Sequence, residues 1–430
     1  EDADVSLQIK NCFDQFNKGI HNEELLNEVE FPLINVLSKM ESEGFNLDST
    51  FLGQMEIDLN KEIQELEKII FESSGEVFNL SSPKQLGVIL FEKLNLVDKP
   101  KKTRTGQYST SEEVLSFLGK KHKIIEDILN WRSINKLQTT YVKALPEEIN
   151  AKTKRIHTVF NQAVASTGRL TSNKPNLQNI PIRTKKGQLI RKAFIPRDEN
   201  HLIICADYSQ IELRIIASLS EDANMIKAFK EGKDIHLSTA SKVYNIPEDK
   251  VTRQQRSNAK TVNFGIIYGV SAFGLSQQTD LNRAESKEMI DTYYKNYPKL
   301  KEYMSSQIQF ARENGYVSTL LKRRRYLKDI NSQNAIVRGA AERTAINAPI
   351  QGSAADIIKL AMIQIDKKIY KENLQSRMIL QVHDELVFDV PKEEKDVLSK
   401  IAKTEMENAL NLKVPLVVDL GIGKNWLEAH

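Results

Sequence analysis

The chain has 430 residues, of which 40% are apolar and 27% charged, with 18 Gly and 12 Pro, so collagen, low complexity and wholesale disorder are excluded. The length suggests about two to four domains or subdomains. Lys and Arg number 61 against 57 Asp and Glu, a formal net charge of +4, which allows a nucleic-acid partner without implying one.

From Glu1 to about Asn22 the pattern is helical, with Val5, Leu7, Ile9, Phe13 and Phe16 as its apolar positions. A long amphipathic run follows, through Leu25, Val29, Leu33, Val36, Leu37 and Met40, and Gly44 ends it. A second long helix is predicted over about 49–72, its exposed face carrying Glu/Lys pairs at spacing four. The segment Asn79-Leu-Ser-Ser-Pro83 reads as a capped helix start. Residues 98–107 (DKPKKTRTGQ) form a basic, turn-rich loop, either simply solvated or in contact with phosphates.

The character changes near Lys154. Strand-like runs appear: RIHTVFNQAVA, LIICADY, MILQVHDELVFDV and VPLVVDL. Between the second and third lies a mostly helical block, about 221–370. A sheet drawn from both sides of a helical insertion makes the class α+β. No apolar run is long enough to span a bilayer and no basic-then-apolar leader opens the chain, so no membrane is implied. Cys12 and Cys205 make no disulfide framework and point to a reducing compartment, with the cytoplasm expected and an organelle left open.

Three segments carry chemistry. In LIICADYSQIELRIIASL, Asp207 stands where a buried strand gives way to a helix, with Glu212 just inside that helix. Such an Asp is either a helix N-cap or a rigidly held carboxylate facing a cleft. In MILQVHDELVFDV, a hairpin is predicted with His383, Asp384 and Glu385 at its tip. Crowded carboxylates repel one another, and a hard divalent ion relieves them. Two Asp side chains at strand ends of one sheet suit a pair of cations acting on phosphorus. In RQQRSNAKTVNFGIIYG, Arg256, Lys260, Phe264 and Tyr268 are four apart, which on a helix aligns two cations and two rings. That stripe serves either a nucleotide or an ordinary half-buried helix. Among weaker signals are Lys322-Arg-Arg-Arg325 and the polar segment STGRLTSNKPNLQNIPIR. No GxxxxGK[ST] loop, zinc-spaced Cys/His cluster or GxSxG elbow occurs.

These segments resemble the family A DNA polymerases, those of the DNA polymerase I type. DYSQIELR is similar to the family's motif A, RSNAKTVNFGIIYG to motif B and QVHDE to motif C; STGRLTSNKPNLQNIPIR, RTAINAPIQGSAADIIK, FNLSSPKQLGVILFEKL and KKTRTGQYSTSEEVL match further segments. The resemblance covers roughly residues 24–430. It implies a right-hand architecture, with an antiparallel palm sheet and helical fingers and thumb. Residues 1–23 would be a remnant of a 3′–5′ exonuclease domain, 24–160 the thumb with the start of the palm, 161–220 the first part of the palm, 221–370 the fingers and 371–430 the rest of the palm. The chain would then be a fragment cut inside the exonuclease domain, with Asp2 as a lone remnant of its metal site and no proofreading expected.

The resemblance also implies roles. Asp207 and Asp384 would bind two Mg²⁺ ions, which Mn²⁺ can replace, with the Tyr208 carbonyl assisting. Lys260 would be catalytic, and Glu385 a nearby acid of lesser role. Arg256, Lys260, His236 and Arg183 would meet the triphosphate of an incoming deoxynucleotide. Phe264 would lie against that nucleotide, where Phe goes with discrimination against dideoxynucleotides, and Tyr268 at the templating position. Gln210 would belong to the same nucleotide site, and Glu212 would exclude a 2′-OH. Arg169, Asn347, Gln351, Arg343 and His383 would contact primer–template DNA. A monomer is expected. Ser257, Lys322 and Lys328 depart from the residues common in the family. The competing readings are a single-subunit RNA polymerase, against which Glu212 argues, and a catalytically dead clamp, against which Asp207, Asp384 and Lys260 together argue.

Overall fold

The structure, a computed structural model, describes residues 2–17, 23–119, 121–182 and 184–430. Among the described residues the early chain is helical as the periodicity predicts; positions 1 and 18–22 of the first predicted helix lie outside them. Helix Phe31–Glu43 buries Leu33, Val36, Leu37 and Met40 and stops at Gly44, whose φ of +66° suits glycine. Asp48 caps helix Ser49–Ser74 by accepting from the Phe51 N–H. That helix turns Leu52, Met55, Leu59, Ile63 and Ile70 inward and packs on helix Lys123–Leu137. Ser82 caps the next helix, which has Pro83 in its first turn. Helix Asp2–Asn17 leaves Val5, Leu7, Ile9 and Phe13 exposed. The basic loop folds back on itself, with an antiparallel bridge between Lys102 and Tyr108.

The centre of the molecule is a four-stranded antiparallel sheet, in the order Val418–Gly423, His201–Tyr208, Glu385–Pro391, Arg377–Val382. The central strand His201–Tyr208 buries Ile203, Ile204, Cys205 and Ala206, as a β-branched, apolar run should. Helix Lys395–Glu407 covers one face, where the Tyr208 phenol donates to the Met406 carbonyl at 2.7 Å. Helix Lys185–Lys192 and the short helix Trp426–Ala429 pack against each other at the sheet, and the latter also lies on the central strand. The helices between Ile211 and Lys371 all lie in sequence between the central strand and the hairpin, and the last of them, Ala335–Lys371, has 37 residues. The α+β expectation therefore holds.

Two strand expectations need correction. RIHTVFNQAVA is not one strand of this sheet. The Thr158 hydroxyl bonds to Ser172, Asn173 and Pro175 and breaks the run in two. Arg155–Ile156 joins Phe45–Leu47 and Phe194–Ile195 in a separate sheet, and Val159–Asn161 pairs with Thr171–Asn173. In VPLVVDL, strand structure begins only at Val418. Pro415 has no N–H for a ladder, and its carbonyl is taken by Arg214 at 2.7 Å. Among the described residues no helix is long and apolar enough to cross a membrane.

Candidate active-site cleft

Asp207 occupies the penultimate position of the central strand and lies directly across from Glu385 on one side and Asp419 on the other. Asp384 is one of the two turn residues of the neighbouring hairpin, and His383 before it has a φ of +53°. The Tyr208 N–H donates to the Asp384 carbonyl at 3.1 Å, so strand end and hairpin tip meet. A strand residue points its C=O to the same side as its N–H, so the Tyr208 carbonyl also faces this tip. Gln381 braces the turn by donating to the His383 carbonyl at 2.6 Å, and Gln178 donates to Gln381 at 3.0 Å. The helix after the strand starts late: Gln210, with a φ of +55°, is its cap residue and caps through no side chain. Asp207 is thus a held carboxylate rather than an N-cap.

Burial, with the negative charges of Glu385 and Asp384, pushes the Asp207 carboxyl up to about 7, while His430 opposes the shift. Burial also raises Asp384, against the pull of Arg169. Two carboxyls held above their usual range, beside a strand-end carbonyl, are a donor set that a hard cation fits. Among the described residues no three acidic, His or Cys side chains gather into a closed cage.

Glu385 is 3% exposed and turned to protein partners. Trp426 Nε1 lies 3.3 Å and His430 Nδ1 3.2 Å from its Oε1, and Arg191 Nη1 lies 3.8 Å from its Oε2. Burial works against its charge, but His430, the Cys205 thiol and Arg191 outweigh that and hold its carboxyl below the usual value. Arg191 also lies 4.1 Å over the Trp426 ring.

Beside the aspartates runs a second polar chain. Arg169 Nη2 is 2.9 Å from Glu212 Oε1 and 4.0 Å from Asp384 Oδ1. Glu212 is 6% exposed and also accepts from the Tyr268 phenol. Burial raises the Glu212 carboxyl, with Tyr268 and Arg169 pulling the other way. Burial and Glu212 push the Tyr268 phenol up to about 12. Tyr268 is not on its helix as the spacing predicts but caps it, because Gly269 follows with a φ of +66°. A Cβ on Gly269 would sit 2.8 Å from Arg343 Cγ, so Arg343 lies against this helix end. Arg343, Asn347 and Gln351 share one face of helix Ala335–Lys371 by their spacing of four. The Asn347 Oδ1 is buried without a partner. His383 is exposed at the hairpin tip.

Helix Arg253–Ile267 opens with a capping box between Thr252 and Gln255. Arg256 pairs with Asp234 at 2.7 Å, and Lys260 is exposed. The Phe264 ring lies 5.6 Å from that of His236. Burial, with Lys260 and Arg256 adding to it against Asp234, lowers the imidazole of His236 to about 4. Arg183 lies outside the described residues.

Sequence reading missed one wall of the cleft. A hollow of about 650 Å³ runs from Arg132, Ser133 and Lys136 to Gln178, Asn179 and His383. Nothing in the run WRSINK distinguishes its cations from those of any solvated helix face.

Residues 49–428 match the family model for DNA polymerase family A. The chain belongs to DNA polymerase family A. It is 49% identical over 407 residues to the DNA polymerase I of Geobacillus stearothermophilus, covering 95% of this chain and 46% of that protein. With the DNA polymerase I of Bacillus subtilis the identity is 50% over 406 residues, 94% of this chain and 46% of that protein. The chain spans about half the length of the curated relatives it matches. Among solved structures, the POL domain of Pol1 from M. smegmatis, in complex with DNA primer-template and dNTP, matches with a TM-score of 0.93 and 42% identity. That match covers 98% of this chain and 74% of the other. In family A terms the four-stranded sheet with its flanking helices is a right-hand polymerase fold.

Proposed function

We propose that this chain is a template-directed DNA polymerase that adds deoxynucleotides to a primer 3′ end and releases pyrophosphate. The observation that carries the reading is that Asp207, at the end of the central strand, lies beside the hairpin tip that carries Asp384, near enough for the charge of Asp384 to raise its carboxyl. Asp207, Asp384 and the Tyr208 carbonyl would hold divalent cations, Mg²⁺ or Mn²⁺. When bound, these supply charge neutralisation and an activated primer oxygen.

Phosphoryl transfer asks the protein mainly for positioning and for charge. Lys260 and Arg256, one helical turn apart, would receive the triphosphate, and Lys260 would steady the departing pyrophosphate. His236 would add a directed hydrogen bond, and Phe264 would support the base and sugar, with Gln210 and Arg183 in the same site. Glu212, clamped between Arg169 and Tyr268, cannot swing aside, which suits it to reject a 2′-OH. Glu385, held by Arg191, Trp426 and His430, would shape the field around Asp207 rather than reach the substrate. Arg169, Arg343, Asn347, Gln351 and His383 would contact primer and template, with Tyr268 at the templating base.

The chain divides on this reading into a thumb with the start of the palm at 24–160, palm at 161–220 and 371–430, and fingers at 221–370. Helix Ala335–Lys371 blurs the last boundary, because its C-terminal half packs on helices Phe31–Glu43 and Lys395–Glu407 beside the sheet. Primer extension with Mg²⁺ and the four deoxynucleotides tests the function. Template-matched extension is expected from the chain itself, and its absence with the DNA demonstrably bound would overturn the reading.

A further inference from the structure

Asn263 lies on the inner side of helix Arg253–Ile267 and is 0% exposed. Its amide nitrogen is 2.9 Å from Nδ1 of His236, and its oxygen accepts from the Thr239 hydroxyl at 3.1 Å. That hydroxyl is 3.2 Å from the Tyr297 phenol. Thr239 and Tyr297 are also 0% exposed, so the whole relay is sealed from water. Sealed polar groups must satisfy one another. With the phenol donating to Thr239 and Thr239 donating to the Asn263 oxygen, the amide has only an N–H left for the imidazole. Nδ1 must then accept, and the single ring proton sits on Nε2.

The other side of His236 is fixed as well. Its backbone N–H donates to the Asp234 side chain at 2.9 Å, and the same carboxylate pairs with Arg256. Among the described residues no group bonds Nε2, and the ring lies 5.6 Å from that of Phe264, within the field of Arg256 and Lys260. Asp234, Arg256 and Lys260 are the charged groups that act on the ring. The two cations, added to burial, keep it uncharged near neutral pH.

We propose that Asn263 is a positioning residue: through the Tyr297–Thr239–Asn263 relay it fixes His236 as the Nε2–H tautomer, a neutral donor for a triphosphate oxygen of the incoming nucleotide. The inference rests on the nucleotide site proposed above. Lys260 and Arg256 already supply charge there, so a neutral N–H adds direction without a further cation to desolvate. The other tautomer would turn a lone pair toward phosphate oxygens and repel them.

Nitrogen-15 NMR of histidine-labelled protein, with His236→Gln to assign the signal, reads the tautomer directly in the free protein. A proton on Nε2 is expected; a proton on Nδ1 overturns the proposal. In single-nucleotide insertion, Asn263→Ala should raise KM for the nucleotide about tenfold with little change in kcat, the scale of one hydrogen bond to a charged group. In a His236→Ala background the same change should add nothing. An equal loss in both backgrounds would mean that Asn263 acts only through helix packing. Asn263→Asp sets a carboxylate against Nδ1 and demands an N–H there, so the Nδ1 signal should change from acceptor to donor; an unchanged signal overturns the proposal. If Asn263→Ala does not fold, the wild-type spectrum still decides. A His236→Ala variant with unchanged KM overturns the proposal at its phosphate end, whereas a wild type that extends no primer overturns the polymerase reading instead.

Discussion

The phenol of Tyr268 donates a 2.7 Å hydrogen bond to Oε2 of Glu212. Arg169 takes the other carboxylate oxygen at 2.9 Å. Tyr268 ends the helix that carries Arg256 and Lys260, while Arg169 stands 4.0 Å from Asp384. Glu212 therefore ties the proposed nucleotide-binding helix to the proposed metal site through two side-chain contacts.

Glu212→Ala should raise ribonucleotide insertion relative to deoxynucleotide insertion by about tenfold or more, since discrimination built on a steric clash is lost with the clash. Tyr268→Phe removes one support of the same carboxylate and should produce a smaller rise in the same direction. The insertion ratio of matched ribo- and deoxynucleotides checks both, and unchanged ratios in both variants would contradict the role of Glu212.

Asp207→Asn and Asp384→Asn should each lower primer extension by about 10³-fold or more, as loss of a central member of a catalytic unit does. Binding of primer–template DNA should stay within about threefold, because phosphate contacts from Lys and Arg dominate it. The raised Asp207 carboxyl adds a second expectation. A charged form that the fold disfavours is removed by the substitution, so melting without divalent ions should be unchanged or higher for Asp207→Asn. A lowered Tm together with lost DNA binding would mean that the residue is structural.

His236 gives the pH dependence. Burial holds it at about 4 in the folded protein, below the 6.5 of a free imidazole, so it is a depressed cationic group. Between those limits the unfolded chain holds a proton that the folded chain refuses, and stability falls as pH drops from about 6.5 toward 4. The shift corresponds to at most about 3–4 kcal/mol at about 1.4 kcal/mol per unit. His236→Gln should flatten this part of the stability curve, measured by denaturant titration at several pH values.

A buried ion cluster lies behind the cleft, where Lys359 lines a small hollow with Arg169, His383 and Asp384. Lys359 is 0% exposed and lies 2.8 Å from Glu30, which also meets Arg323, and Arg323 pairs with Asp356 at 2.7 Å. Glu30→Gln leaves two cations with one carboxylate and should cost about 3–5 kcal/mol. Lys359→Met in addition should recover part of that loss. Purely additive costs, read from denaturant midpoints, would show that the groups are not coupled.

Much of this site is legible in the chain itself. The buried run ending at Asp207 and the two apolar runs around His383-Asp384 announce a strand end and a hairpin tip, because period-two burial is local information. The stripe from Arg256 to Phe264 is legible for the same reason at period four. The limits of strands are less legible. Thr158 and Pro415 interrupt runs that read as continuous, and their effect depends on hydrogen-bond partners far along the chain, such as Ser172 and Arg214.

The sequence by itself determined the class of the fold, the acidic strand ends and the cationic helix, since each rests on side chains a few positions apart. Only the tertiary structure decided that Asp207 faces Glu385 across a strand, that Arg169 and Tyr268 clamp Glu212, and that Asn263 meets His236 inside a sealed relay. Those contacts join residues 27 or more positions apart, 27 in the last case and 178 in the first, and no local propensity encodes which distant partner a buried polar group will find. Burial selects it, because an unsatisfied group in the core costs more than the chain entropy lost in bringing its partner there.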